Sequence, residues 1–404
     1  MRRPTSPPVP PLSRPLAPAL ALSRLLACVL ALATCTLDIT APIDPPPESW
    51  DPALNTHPRG SAFQALLDDY VHGGLTGVVF LARTPEGTWN GASGFAKIET
   101  GVPMLPTHRH HAASVTKMYM ATAIMLLVED GLVDLDAGIM EYLPESLLRP
   151  IPNGARATVR QLLGHTSGIP DFSGDMAYDL DFLNDPKGTY APERLLSYLH
   201  GQSALSAPGE GYFYSNANYL LLALLADEVT GGSHAAFITD RILRPLGLEA
   251  TYYRNEPGYP TPPGLVNSYQ DVAGDGRVMN VSDLTARNAE IFFGNAGLIA
   301  SSADFAGFIE GLLEGRVVGQ ASLARMQDWR DRSRSGLGLG FIETPFGPGV
   351  GHSGGDLGAM SQVRHFPDHN ATLVLLTNGG NGGVPAECFR ELWDELMELA
   401  LGDL

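Results

Sequence analysis

The stretch His111-Ala-Ala-Ser114-Val-Thr-Lys117-Met-Tyr-Met-Ala-Thr-Ala-Ile-Met-Leu-Leu-Val-Glu-Asp-Gly131 decides how the rest of the chain is read. From Val115 to Val128 it is apolar on nearly every side, which is the pattern of a helix buried all round. Gly131 is placed to close that helix. Ser114 stands at its start, where serine favours the cap and unpaired backbone N–H groups gather. Lys117 follows three residues later, one turn on and on the same face.

A lysine in such a helix needs a reason. Of the 26 basic residues only Lys97, Lys117 and Lys187 are lysines, so a plain surface charge here would have been an arginine. Arginine stays protonated, whereas a buried lysine is driven towards the neutral amine and can accept a proton. A serine hydroxyl beside such a base is a nucleophile. Taken alone, Ser-x-x-Lys is explained as well by a cap serine and a snorkelling lysine.

Around that stretch the chain alternates between sheet and helix signals. A helix is expected from about Ser61 to His72, with Phe63, Leu66, Leu67 and Tyr70 on one face. Gly77-Val-Val-Phe-Leu-Ala-Arg83 and Thr88-Trp-Asn-Gly-Ala-Ser-Gly-Phe-Ala96, separated by Pro85-Glu-Gly87, read as an antiparallel hairpin. Residues 132–290 change to short helical pieces among Pro and Gly turns, with one clear helix from Tyr219 to Thr230. Strand signals return at Gly338-Leu-Gly-Phe-Ile342, Ser361-Gln-Val-Arg-His-Phe366 and Thr372-Leu-Val-Leu-Leu-Thr377, and a last helix follows from about Ala386 to Leu401. The fold class is therefore α+β: an antiparallel sheet built from both chain ends and flanked by helices, with a mostly helical lobe inserted over about 132–290.

Before the folded part, Arg2, Arg3, Arg14 and Arg24 precede the short apolar run Leu25-Leu-Ala-Cys-Val-Leu-Ala-Leu-Ala33, so residues 1–35 read as a signal peptide. Leu32-Ala-Thr-Cys35 also resembles a lipoprotein box; a lipid on Cys35 would be the only membrane attachment, and cleavage after Ala33 is the alternative. Residues 36–55 are a proline-rich linker, and 56–404 the folded domain. The segment makes the protein exported, periplasmic or secreted. With 404 residues and 44% apolar content there is enough chain for a full core. A formal charge of −18 with no basic block excludes a nucleic-acid binder. After processing, Cys388 is the one certain remaining cysteine, which leaves no disulfide framework.

Two further motifs raise Ser114 and Lys117 above chance. Tyr214-Ser215-Asn216 precedes the Tyr219 helix and is expected on an exposed turn. A tyrosine there can shuttle a proton, and an asparagine can hold a substrate amide through donor and acceptor together. His352-Ser353-Gly354-Gly355 precedes the Ser361 strand at the edge of the sheet region, where small residues let a substrate backbone lie alongside. A main-chain N–H from this segment, with that of Ser114, would form an oxyanion hole.

With these motifs the sequence resembles the serine β-lactamase and penicillin-binding-protein family, most closely the branch of class C β-lactamases and D-alanyl-D-alanine carboxypeptidases. Ser114-Val-Thr-Lys117, Tyr214-Ser-Asn216 and His352-Ser-Gly354 occur in the family's order, and Leu162-Leu-Gly-His-Thr-Ser-Gly-Ile-Pro170 and Asn295-Ala-Gly-Leu-Ile-Ala-Ser-Ser-Ala-Asp304 resemble it too. The resemblance implies Ser114 as the acylated nucleophile, with Lys117 and Tyr214 as the acid/base pair in either order. It implies that Asn216 binds the substrate amide, His352 sets the electrostatics opposite Tyr214, and Ser353 meets a substrate carboxylate. The N–H groups of Ser114 and Gly355 would hold the oxyanion, with Gly354 lining the site. No metal and no cofactor are implied, and the partner is a small molecule or a peptidoglycan peptide. A D-alanyl-D-alanine carboxypeptidase-like activity leads, with a class C-like β-lactamase or a family esterase as alternatives. The third motif carries His352 where class C β-lactamases have lysine, and Gly336–Gly351 lacks the arginine that carboxypeptidases place ahead of it.

Three rival readings fit the residues less well. Gly351-His-Ser-Gly-Gly355 fits the nucleophile elbow Gly-x-Ser-x-Gly, but no helix pattern follows it. His108-Arg-His-His111 lacks the aspartate of zinc-hydrolase runs and reads as a solvated basic turn, and His165 reads as holding a turn. A non-hydrolytic penicillin-binding sensor would have no reason to keep both Lys117 and Tyr214.

Overall fold

Gly77–Thr84 (β1) and Ala371–Thr377 (β10) are nearly continuous apolar runs, as befits strands covered on both faces. They pair antiparallel from Val78 opposite Thr377 to Arg83 opposite Thr372, which joins the two ends of the chain. The computed structural model describes residues 51–402 except 187, 257, 258, 260, 288–292 and 330–334. The expected signal peptide, Cys35 and the tether as far as residue 50 lie outside the described residues.

β1 continues through the hairpin into β2 (Gly87–Lys97) and on to β3 (Val102–Pro103). On the other side come β7 (Gly340–Thr344), β8 (Gly347–Asp356) and β9 (Ala359–Phe366). The antiparallel sheet has the order β3-β2-β1-β10-β9-β8-β7. Its outer face packs under α1 (Gly60–His72) and α5 (Gly383–Leu401), where Val78, Phe80, Leu373 and Leu375 meet Phe63, Leu67, Phe389 and Leu396. The inner face presents Val79, Leu81, Val363, Val374 and Leu376 to the rest of the molecule. Period-two alternation of these strands sorts the two sets.

Against the inner face lies α4 (Ser302–Leu313). Stacked on α4 through Tyr119 and Phe308 is α2 (Thr116–Glu129), buried at every residue from Thr116 to Leu127. Burial of each large side chain is worth about 1.5–3 kcal/mol, so this helix is the centre of the core. It packs on α3 (Asn216–Thr230) of the helical region. A small second sheet of β4 (His110–His111), β6 (Leu298–Ala300) and β5 (Tyr252–Tyr253), in the order β4-β6-β5, ties the entry of α2 to the later chain.

Four expectations are corrected or refined. The His108–His111 run is no solvated turn: His108, Arg109 and His110 are each 3% exposed or less, and His110 pairs with Ala300. Burial holds the histidines uncharged, with His110 at about 3. The His352 motif stands ahead of the Ser361 strand as expected, but it also lies within a strand of its own, β8. Its glycines hide it from any β-propensity pattern, and it forms because β7 and β9 flank it. The turn carrying Tyr214 is only partly exposed: Tyr212 and Phe213 are open, Tyr214 and Asn216 half-buried and Ser215 fully buried. Asn55, placed in the tether, is bonded to Asn90 of β2 in both directions, at 3.1 and 2.8 Å.

Candidate active site

Ser114 does not cap the helix. It sits in a one-turn 3₁₀ segment, Ala113–Val115, that runs straight into α2, and no side chain caps either element. Its hydroxyl is thereby left for other partners. Ala113 just before it has φ +46°, a left-handed conformation that costs a non-glycine residue about 1–2 kcal/mol. Such strain persists where the surroundings over-determine the backbone. Here they do. Ala112 N–H donates to Leu298 O at 2.8 Å, and Ser361 Oγ donates to Ala112 O at 2.8 Å.

Three distant segments meet at Ser114. Lys117 Nζ donates to Ser114 Oγ at 3.0 Å, and the Tyr214 hydroxyl donates to the same atom at 2.9 Å. Lys117 gives its other two N–H groups to Asn216 Oδ1 and Asn295 O, both at 2.8 Å. None of its three acceptors carries a charge. Burial pulls the ammonium down to about 7, while the carboxylates of Asp171 and Asp356 pull it back up. The free amine is therefore accessible near neutral pH. Burial pushes the Tyr214 phenol above its ordinary range, which keeps it a proton donor at pH 7.

Tyr214 is held from behind. Its ring stacks on His165 with centroids 4.3 Å apart at 26°. His165 Nδ1 accepts the Ser215 N–H at 3.1 Å and burial holds the ring neutral, so His165 orders a turn, as expected, and that turn carries the phenol. His352 faces the pair across the cleft, its ring 6.4 Å from that of Tyr214. Nδ1–H donates to Ser353 O at 2.6 Å, and enclosure together with Lys117 holds the imidazole uncharged at about 3.

β7 pairs only with residues 347–351 of β8. The edge of 352–356 opposite β9 is thus left to the cleft. Gly354 faces the Ser114 turn so closely that a Cβ there would lie 2.3 Å from Ala112 O and 3.0 Å from Ala113 Cβ. Only glycine allows that approach. Gly355 follows at the same edge. The Ser114 N–H gives no hydrogen bond to a backbone carbonyl among the described residues, so it is available to an oxyanion.

The structure thus brings Ser114, Lys117, Tyr214 and Asn216 into one hydrogen-bonded cluster, with His352 and Gly354 facing it. Ser353 is exposed, and its hydroxyl takes no part in that cluster. Asn216 gives its amide N–H groups to Asp171 at 3.0 Å and Ser173 at 3.3 Å, so it is fully engaged and positions Lys117. Sequence reasoning missed Asp171, Asp356 and the Asn295 carbonyl. The two acids each adjoin a quoted motif, and the carbonyl lies at the head of another, yet no spacing rule marks them.

A hydroxyl shared by a buried amine and a phenol, at the seam of an antiparallel sheet and a helical region, defines a serine hydrolase of the β-lactamase and penicillin-binding-protein kind. The chain belongs to the β-lactamase family, whose profile matches residues 63–395. It is 26% identical to penicillin-binding protein 4* of Bacillus subtilis, over 75% of this chain and 68% of the relative. Among solved structures it resembles a D-stereospecific amidohydrolase from Streptomyces (28% identity, TM-score 0.71, covering 83% and 98% of the two chains). It is equally similar to the D-amino acid amidase of Ochrobactrum anthropi SV3 (28% identity, TM-score 0.71, covering 85% and 99%).

Proposed function

We propose that the protein cleaves an amide bond in a D-amino-acid amide or short peptide by way of an ester on Ser114. The observation that carries this reading is the sharing of Ser114 Oγ between Lys117 Nζ and the Tyr214 hydroxyl, with the lysine near 7. The neutral amine takes the serine proton as Oγ attacks the carbonyl carbon. The N–H groups of Ser114 and Gly355 hold the oxyanion. As the C–N bond breaks, the proton returns through Tyr214 to the leaving amine. Water then attacks the ester, giving its proton to the same pair and releasing the acid.

Charge guides the choice of substrate. Among the described residues, the charged groups acting on Lys117 are Asp171 and Asp356, and His352 is neutral. A carboxypeptidase or a β-lactamase holds an anionic substrate, whereas two acids stand beside this nucleophile, Asp171 and Asp356, the second sharing its pocket with Arg254. That, with the D-specific amidases among its structural neighbours, supports a substrate bearing an amine over the carboxypeptidase-like reading. We further propose, on the N-terminal segment alone, that the enzyme works outside the cytoplasm.

The test is a turnover screen of D-amino-acid amides, D-Ala-D-Ala peptides, a chromogenic cephalosporin and p-nitrophenyl esters. Turnover of the amides with a transient ester on Ser114 is expected. Stable labelling by a fluorescent penicillin with no deacylation of any substrate would instead make the protein a sensor.

A further inference from the structure

Asp356 ends β8 two residues beyond Gly354 and on the same face. Two residues of strand span about 6.6 Å, so its carboxylate stands within one amino-acid length of the Ser114 turn. It lines a small pocket with Ala113, His111, Ala296, Leu298 and Arg254. The pocket touches the catalytic cluster on two sides: Ala113 precedes Ser114, and Ala296 follows the Asn295 carbonyl that holds Lys117. One carboxylate oxygen accepts the Leu357 N–H at 2.7 Å, and Asp356 forms no ion pair with a described residue.

We propose that Asp356 is the specificity-determining residue of this site, receiving the ammonium group of an amino-acid substrate in the pocket beside the Ser114 turn. The inference rests on the amide-hydrolase reading above and adds the residue that selects the substrate. A partly enclosed carboxylate with one uncommitted oxygen asks for a cation, and an incoming ammonium supplies both charge and N–H donors. The charged and titratable groups around Asp356 are Arg254, Lys117, Tyr178 and, across the pocket, His111. Arg254 and Lys117 draw the carboxyl down, yet burial still pushes it up to about 6. Burial likewise holds the His111 imidazole uncharged at about 3. Lys117 is committed to Ser114, Asn216 and Asn295, so it cannot close on Asp356.

The test compares D-phenylalanine p-nitroanilide with its N-acetyl derivative, which keeps the scissile bond and removes the positive charge. Wild-type enzyme is expected to favour the free amine by about tenfold or more in kcat/KM. Asp356→Asn should bring that ratio close to one, chiefly through KM, and Asp356→Glu should restore part of it. A wild type with no preference for the free amine, or a variant that keeps the preference, overturns the assignment. A burst of p-nitrophenol from p-nitrophenyl acetate, run in parallel, reports acylation of Ser114 independently. Absence of any p-nitrophenol release above the uncatalysed rate in the wild type sinks the hydrolase reading itself, whereas normal release with an unchanged ratio in Asp356→Asn sinks only the role of Asp356.

Discussion

The Tyr214 ring lies stacked on His165, and that stack holds the phenol hydroxyl 2.9 Å from Ser114 Oγ. His165 touches neither the serine nor the lysine in the hydrogen-bonded cluster; it is a positioning residue acting through Tyr214.

Replacing it tests the arrangement. His165→Ala removes the stack and the acceptor of the Ser215 N–H, a buried donor whose loss of partner costs about 1–3 kcal/mol. Thermal denaturation should show that destabilisation, and kcat should fall about tenfold or more with KM less affected. Normal kcat in a destabilised protein would confine His165 to a structural role.

Ser114→Ala should abolish the covalent mass shift given by an activated ester or a penicillin. Ser353→Ala should keep it and only weaken turnover, since the Ser353 hydroxyl lies outside the cluster. The opposite pattern in intact-mass spectra would reverse the assignment of the nucleophile.

The rate of acylation should rise with pH through about 7, because Lys117 accepts a proton only as the free amine and its buried ammonium is held there. Asp356 deprotonates near 6 and adds a lower limb for substrates bearing an amine. Lys117→Arg stays charged at every accessible pH and should lose acylation. The stability sign follows from linkage. The unfolded lysine keeps its proton up to its model value of 10.5, so between about 7 and 10.5 the unfolded chain binds more protons, and this residue makes stability rise with pH in that window. Stopped-flow burst rates and melting curves across pH check both limbs.

Gly354→Ala puts a Cβ 2.3 Å from Ala112 O and 2.4 Å from Ser361 Oγ. The strand must retreat from the Ser114 turn. Overpacking of this kind costs about 1–3 kcal/mol, and a displacement near 1 Å at the reacting groups costs about 10²-fold in rate. Gly355→Ala meets nothing nearer than Asn381 Cβ at 3.2 Å and should be milder. Equal acylation rates in the two variants would contradict the close approach of β8 to the nucleophile.

Much of this was legible in advance because it is local. The apolar run after Ser114 buries on all sides as its pattern required, and the hairpin over 77–97 and the strands at Ser361 and Thr372 stand within a residue or two of where alternation placed them. The failures have physical causes too. β8 carries Gly347, Gly349, Gly351, Gly354 and Gly355, which have no side chains to pattern, so its strand character comes from the partners on either side. Charged residues at 108–111 suggested water, yet β4 pairs with β6 almost 190 residues on, and that pairing buries them.

What the sequence determined by itself was the inventory: a lysine set one turn after a serine in an apolar helix, a tyrosine and an asparagine at the head of another, and a histidine among glycines. Tertiary structure alone decided their chemistry. A lysine becomes a base near neutral pH only once water is excluded and its hydrogens are taken by uncharged oxygens, and those oxygens, on Asn216 and Asn295, come from segments 99 and 178 residues away. The acids that set the charge of the cleft, Asp171 and Asp356, matter for the same reason: their effect depends on distance through space, which no local pattern encodes.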